Sequence, residues 1–283
     1  DQTVNIYSAF LQNEWKNDRW GILIGGRLDK HNMVDNVIFS PRANLRFNPT
    51  QNINLRLSYS SGFRAPQAFD EDMHIENVGG TVAMIERAKD LKEEKSQSFS
   101  VSADMYHRFG AFQTNLLIEG FYTRLTDVFV LGKPYDRGDG ILVKTRSNGP
   151  GAKVMGLTLE GKVAYLSILQ IQAGLTLQRS RYDEPHKWHD DAPAEKKIFR
   201  TPDTYGYFTA TCTPVKPLSI ALSGTYTGRM LVQRMDITAE NAELGEMPER
   251  KAEAIRTPRF FDLGVKLAYD FKLYKTVDLQ LNG

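Results

Sequence analysis

The chain has one cysteine, Cys212, in 283 residues. A single thiol excludes an intramolecular disulfide and, with it, any cysteine-rich metal site. Its setting in YGYFTATCTP suits a small apolar strand residue. Neither sign of charge is in excess, with 36 Lys and Arg against 34 Asp and Glu. A nucleic-acid partner, which calls for clustered positive charge against phosphate, is therefore not expected. Long apolar runs are missing too: GILIGG and VFVLG stop far short of the roughly 18 residues a transmembrane helix needs. That excludes helical spans but not a membrane barrel, in which only alternate strand residues meet lipid and a polar lumen keeps mean hydropathy negative, here −0.41. Enzyme signatures are absent as well. There is no serine-centred nucleophile elbow, HExxH or phosphate loop, and Gly25-Gly26 and Gly79-Gly80 do not build GxGxxG. No enzyme and no cofactor are expected. No signal peptide is visible at Asp1, so an exported protein would be represented here by an internal piece.

What the chain does have is alternation. In NINLRLSYSSGFRAPQAFDEDMHIE (Asn52 to Glu76), Ile53, Leu55, Leu57 and Tyr59 point one way and Asn54, Arg56, Ser58 and Ser60 the other. Gly62, Pro66 and the acidic run Asp70, Glu71, Asp72 then end the strand and open a polar excursion to about Glu94. The same pattern gives about twelve strand-like segments: 4–15, 20–31, 37–47, 53–63, 96–108, 112–131, 141–165, 168–181, 204–213, 218–232, 258–271 and 276 to the end. Many run ten to fourteen residues, whereas soluble strands centre on about 5 or 6. A tilted membrane strand needs about 9 to 11.

The connections alternate. Short turns at 16–19, 48–52, 109–111, 166–167, 214–217 and 272–275 take turns with longer loops at 32–36, 65–93, 132–140, 182–203 and 233–257. An up-and-down barrel with short periplasmic turns and long extracellular loops has this asymmetry. The faces separate as well: Leu169, Ile171, Leu175 and Leu177 oppose Gln170, Gln172, Thr176 and Gln178, and Phe261, Leu263, Val265, Leu267, Tyr269 and Phe271 oppose Asp262, Lys266 and Asp270. Trp15, Trp20, Phe47, Phe109, Phe112, Tyr165, Phe271 and Tyr274 gather beside the short turns, where an interfacial girdle would lie.

Four stretches, in order, carry a family resemblance. They are the hairpin SPRANLRFNPTQNINLR at Ser40 to Arg56, the segment SYSSGFRAPQAFDEDMHI with its Gly-Phe-Arg-Ala-Pro motif, NGPGAKVMGLTLEGKV at Asn148 to Val163, and RTPDTYGYF at Arg200 to Phe208. Together the chain resembles the barrel of TonB-dependent outer-membrane receptors. The resemblance implies an all-β, transmembrane, antiparallel up-and-down barrel of 22 strands with a plugged lumen. Residues 1–283 would form a partial barrel domain, about strands 10 to 21, with the plug domain absent. It also implies a place in the outer membrane of a Gram-negative bacterium, contact with its lipid, energy from TonB transmitted through the missing plug, and import of a scarce nutrient. That nutrient would be an iron chelate such as a ferric siderophore, or cobalamin.

Candidate residues follow from the residue types. Loops on a rigid barrel are where binding residues concentrate, which points to Arg64 at the loop mouth with Asp70, Asp72 and His74 as ligand-binding groups. Arg42, Arg46 and Arg56 fall on polar faces, where a guanidinium suits acidic groups of neighbouring strands, of a plug, or of a ligand. Two clusters have metal-like composition, Asp70, Glu71, Asp72 and His74, and Asp183, Glu184, His186, His189, Asp190 and Asp191. Neither has EF-hand spacing, so solvated loop charge is the reading and no metal is expected. Two other classes stay open on sequence grounds: a passive porin, which would share the strand pattern, and a soluble β-sandwich binding module, which would have shorter strands.

Overall fold

The computed structural model describes residues 3–66, 83–138, 142–188, 192–238, 249–274 and 277–283, all in strands, turns and loops. Twelve strands form one continuous antiparallel path. In chain order they are β1 (Ile6–Lys16), β2 (Trp20–His31), β3 (Ile38–Thr50), β4 (Ile53–Arg64), β6 (Glu94–Phe109), β7 (Phe112–Thr126), β10 (Ala152–Tyr165), β11 (Leu169–His186), β13 (Thr204–Val215), β14 (Leu218–Thr227), β17 (Phe260–Tyr274) and β18 (Val277–Asn282). Each pairs with its neighbour along the chain once the strands of the long loops are set aside. Those are β5 (Ala83–Arg87), β8 (Phe129–Asp136) and β9 (Leu142–Asn148), which form a three-stranded sheet, β12 (Glu195–Lys197), which pairs with β11, and the hairpin of β15 (Leu231–Thr238) with β16 (Glu249–Arg256).

The alternation seen in the sequence becomes two faces. Reading across the hydrogen-bonded register, Leu45, Leu57, Val101, Gly120, Leu157 and Leu177 lie side by side from β3 to β11. One residue along each strand, the row becomes Arg46, Arg56, Ser102, Glu119, Thr158 and Thr176 on the other side. A sheet sorted this way would bury its apolar face against a second layer in a soluble domain. Here none covers it: Leu57, Val101, Val163, Leu177, Val265 and Leu267 are all exposed. The total accessible surface is 19480 Å², against roughly 12,000 Å² for a compact monomer of this mass.

The uncovered apolar band has a definite height. From Phe112 to Tyr122 on β7 is ten steps, about 34 Å at about 3.4 Å per residue, which a strand tilt of about 40° reduces to about 26 Å. Outer-membrane barrels carry an apolar band about 25 Å tall. Aromatic pairs border it at the short-turn end, Trp20 with Phe47 at 4.3 Å between centroids and Phe112 with Tyr165 at 4.7 Å. At the other border Tyr59 packs on Phe99 at 4.8 Å.

Two sequence-based boundaries need correction. The segment 112–131 is not one strand but β7 and β8, broken at Asp127, whose φ of 54° leaves the strand region. The segment 141–165 likewise divides into β9 and β10 at Gly149-Pro150-Gly151. Pro150 cannot donate to a ladder, and at Gly151 a Cβ would meet Leu125 O at 2.8 Å and an Asp183 carboxylate oxygen at 2.7 Å. Residues 132–136 accordingly belong to β8, which pairs antiparallel with β9, itself parallel to β5, and the loops 65–93, 182–203 and 233–257 also contain strand.

Candidate functional site

The long-loop end of the sheet is where groups are buried. Val34, Ile38 and Ala65 pack together with Phe63 against them. Val143 is fully enclosed, and Asp29, His31 and Arg146 are each 1% exposed. Asp29 is satisfied locally, accepting from Ser8 Oγ at 2.5 Å and from Arg27 Nε at 2.7 Å. His31 Nδ1 accepts the Met33 amide at 3.1 Å and so fixes the β2–β3 connection.

Asn148 and Glu94 tie the first two long loops together. Asn148 Oδ1 accepts the Lys92 amide at 2.8 Å while its Nδ2 donates to the carbonyls of Lys92 and Asp127. Glu94 Oε2 accepts both the Phe129 amide and Arg64 Nη2, each at 3.0 Å. The Arg64 guanidinium also sits 4.8 Å from the Phe129 ring centroid. Arg64 thus joins the mouth of one loop to the return of that loop and to the start of the next. Asp70, Glu71, Asp72 and His74 lie outside the described residues.

Arg42, Arg46 and Arg56 share the polar face. Arg46 and Arg56 are direct cross-strand partners, and Arg42 lies two strand repeats along β3. Arg42 donates to Gln12, and Arg56 Nε donates to Asn54 Oδ1 at 2.8 Å, with Asn54 donating on to Asn48. The Arg46 Nε is buried without a hydrogen-bond acceptor, and its guanidinium lies over Gly21, where a Cβ would come within 3.2 Å of it. Among the described residues no carboxylate forms an ion pair with any of the three.

Further along the same face is a network that sequence reasoning missed. Tyr207 Oη donates to Glu160 Oε2 at 2.6 Å, Gln172 Nε2 donates to Glu160 Oε1 at 3.0 Å and contacts Tyr207 Oη at 2.6 Å, and Lys162 Nζ lies 3.3 Å from Glu160 Oε1. Asp104 is held by Asn115 and by Tyr106 Oη, the latter at 2.9 Å. Glu160, Gln172 and Tyr207 sit on three strands, and Asp104 and Asn115 on two, so only register brings these together. Alternating polar positions were the signal, but nothing in the sequence ranked Glu160 above its neighbours.

Of the second acidic and histidine cluster, Asp183, Glu184 and His186 are described and His189, Asp190 and Asp191 are not. Asp183 faces cations rather than other carboxylates: Lys153 Nζ is 2.9 Å from one oxygen and Arg124 Nη2 3.4 Å from the other. Its hydrogen bond with Lys153, more than Arg124, holds the carboxyl below the usual range. The His186 ring lies tilted against Tyr182 with centroids 5.4 Å apart, and burial pushes its imidazole below the ordinary value. Among the described residues no group of three or more metal-ligating side chains converges.

A single antiparallel sheet, apolar on one face across a membrane's thickness and polar and hydrogen-bonded on the other, defines part of a membrane β-barrel wall. The family model "TonB dependent receptor-like, beta-barrel" matches residues 1–283, and the chain belongs to that family. Its members are transport receptors of the Gram-negative outer membrane.

Solved structures agree on the fold. A mutant of the ferric enterobactin receptor PfeA from Pseudomonas aeruginosa is similar with a TM-score of 0.68 at 17% identity, over 99% of this chain and 39% of that one. The siderophore receptor PirA from Acinetobacter baumannii gives 0.66 at 14%, over 95% and 40%. The FrpB iron transporter from Neisseria meningitidis gives 0.64 at 14%, over 94% and 38%. The chain therefore spans about two fifths of these receptors. No curated protein matches it in sequence.

Proposed function

We propose that this chain is part of the barrel, about strands 10 to 21, of an outer-membrane receptor that captures a ferric siderophore and imports it with energy passed from TonB through a plug domain. Three guanidinium groups, Arg42, Arg46 and Arg56, on one polar face with no carboxylate partner among the described residues carry the reading. Uncompensated cations on the polar face of a barrel wall suit an anionic occupant, either the negatively charged oxygens of an iron chelate or acidic side chains of a plug. The similar structures are receptors named for siderophores and iron. Loop capture is assigned to Arg64 with Asp70, Asp72 and His74, the Glu94 and Phe129 contacts of Arg64 giving the loop mouth a fixed position.

The test uses the full-length receptor, with Arg42→Gln, Arg46→Gln and Arg56→Gln made singly and together. Titration with a ferric tris-catecholate is expected to lose about 1–3 kcal/mol per charge-assisted contact removed, while heat-modifiable migration of the barrel stays normal. Cobalamin, an uncharged competitor for the assignment, is expected not to bind. Unchanged chelate affinity with an intact barrel, or tight cobalamin binding, overturns the proposal.

A further inference from the structure

The polar face is not uniform from strand to strand. On β4 and β6, every facing pair between the Arg64 row and the Arg56 row is small: Gly62 with Ser96, Ser60 with Ser98, and Ser58 with Ser100. The strip they form runs eight steps along β4, about 27 Å at about 3.4 Å per residue. Guanidinium groups stand at both ends and along its β3 edge. Arg64 marks the long-loop end, Arg56 beside Arg46 marks the other, and Arg42 lies directly across from Ser60, halfway between them. Successive cations are thus four residues apart, about 14 Å along the strand. On the β7 edge, Ser98 Oγ is hydrogen-bonded to Thr123 Oγ1 at 2.9 Å and Phe121 stands across from Ser100.

The other half of the same face is built differently. Among the described residues, β10, β11, β13 and β14 carry no arginine on it, and its positions include the longer side chains of Gln172, Gln178, Tyr205 and Tyr207 beside Glu160. Several of these are already bonded: Tyr207 and Gln172 to Glu160, and Gln178 Nε2 to the Pro202 carbonyl at 2.9 Å. An anion meets a carboxylate there and guanidinium groups along β3 and β4. Small side chains alone would only lower the wall. With cations at regular spacing they make a path, because passage needs several sites, each weak enough to leave. Arg64 is held by Glu94, Arg42 by Gln12 and Arg56 by Asn54. Each guanidinium therefore has an acceptor to return to when an anion departs.

We infer that the strip between Arg64 and Arg56 is the lane along which a ferric chelate moves inward, passed from Arg64 to Arg42 and then to the pair Arg46 and Arg56. The serines and Gly62 leave room for it against the wall, and the forked guanidinium groups take its anionic oxygens in turn. This lane rests on the receptor reading above and adds a route to it: the chelate follows β3, β4 and β6 and keeps clear of β10 to β14.

The test uses the full-length receptor in whole cells, with native thiols, Cys212 included, changed to Ala; Cys212 stands in the row of Leu169 and Ile220 on the apolar face. Single cysteines then replace Ser60, Ser102, Thr158 or Thr225, each on the polar face and seven residues from the short-turn end of its strand. The probe is a ferric tris-catecholate bearing an iodoacetamide, whose iodide a cysteine thiolate displaces. During uptake, adducts at Ser60→Cys and Ser102→Cys are expected to exceed those at Thr158→Cys and Thr225→Cys at least tenfold. A second variant, Ser100→Trp, fills the strip midway. Its uptake at saturating chelate is expected to fall at least tenfold in a barrel that assembles and still binds the chelate. Equal labelling at all four positions, stronger labelling at Thr158→Cys or Thr225→Cys, or wild-type uptake by assembled Ser100→Trp overturns the lane and leaves the receptor reading intact. A receptor that binds no ferric chelate removes both.

Discussion

The two ends of the sheet are built on different principles. At the short-turn end, neighbouring strands join through two or three residues, and the aromatic pairs Trp20 with Phe47 and Phe112 with Tyr165 border the apolar band. At the long-loop end, Val34, Ile38, Val128, Val143 and Ala192 are buried together with Asp29, His31 and Arg146. A barrel wall needs no core of its own, since lipid solvates one face. Its loops must nevertheless hold shape in water, and they do so as small water-soluble folds with their own cores. The difference teaches that one chain can be stabilised by bilayer in its middle and by ordinary burial at one end, with separate cooperative units.

The strongest way to break this contrast is Val143→Asp. A carboxylate placed at a fully enclosed site on β9 faces a desolvation cost of several kcal/mol. Amide exchange in 83–87 and 142–148 should rise to that of an open loop. The strands from β1 to β4 should keep their protection, and heat-modifiable migration should persist. Simultaneous loss of protection in both regions would show that the two ends are one unit.

A smaller effect is expected from acidification, at the extension of β11 beyond its pairing with β13. The folded values of His186 and Asp183 are both depressed, so the folded state binds fewer protons than the unfolded one as pH falls. The contribution of His186 is complete above its ordinary value of 6.5 and is lost as pH drops below it through the folded value. That of Asp183 is complete above 3.8 and is lost below. Exchange in 181–188 should therefore increase in two stages on acidification while that in 169–177 does not. A pH-independent profile would remove the linkage.

The smallest expected effect sharpens the other side. Leu166, in the turn between β10 and β11, has a φ of +49° and is exposed. Leu166→Gly relieves a left-handed conformation costing about 1 kcal/mol. Part of that gain is lost to the added freedom of the unfolded chain. A net stabilisation of a few tenths of a kcal/mol in urea unfolding is expected, with loop exchange unaltered.

How much of this was legible beforehand depended on distance along the chain. Two-residue alternation is local, so the faces, the twelve-strand path and the sides taken by Arg42, Arg46 and Arg56 could be read from single segments. The break at Asp127 could not, because β-branched and aromatic residues flank it on both sides, Thr126 before and Val128, Phe129 and Val130 after, with no Gly or Pro between them. At Gly149-Pro150-Gly151 the break signal was present, and apolar alternation on both sides masked it. Arg64 stood out from its motif, yet its partner Glu94 lies thirty positions on, at the far end of the loop. The ion pairs of Asp183 with Lys153 and Arg124 were invisible for the same reason: the three residues come from three segments and meet only through register.

Register itself is guarded by glycine-aromatic pairs on the polar face, Gly156 with Phe121 and Gly174 with Tyr207. The ring of Tyr207 lies over Gly174, its direct partner across β11 and β13, and a Cβ there would meet the ring at 2.6 Å. Sliding β13 by one residue turns Tyr207 out toward lipid and away from Glu160. Sliding by two sets the ring against the side chain of Gln172 or Thr176 instead of open backbone. During assembly, when each strand must find its neighbour before the wall closes, a glycine facing a tyrosine acts as a notch and key that accepts a single alignment and rejects those on either side.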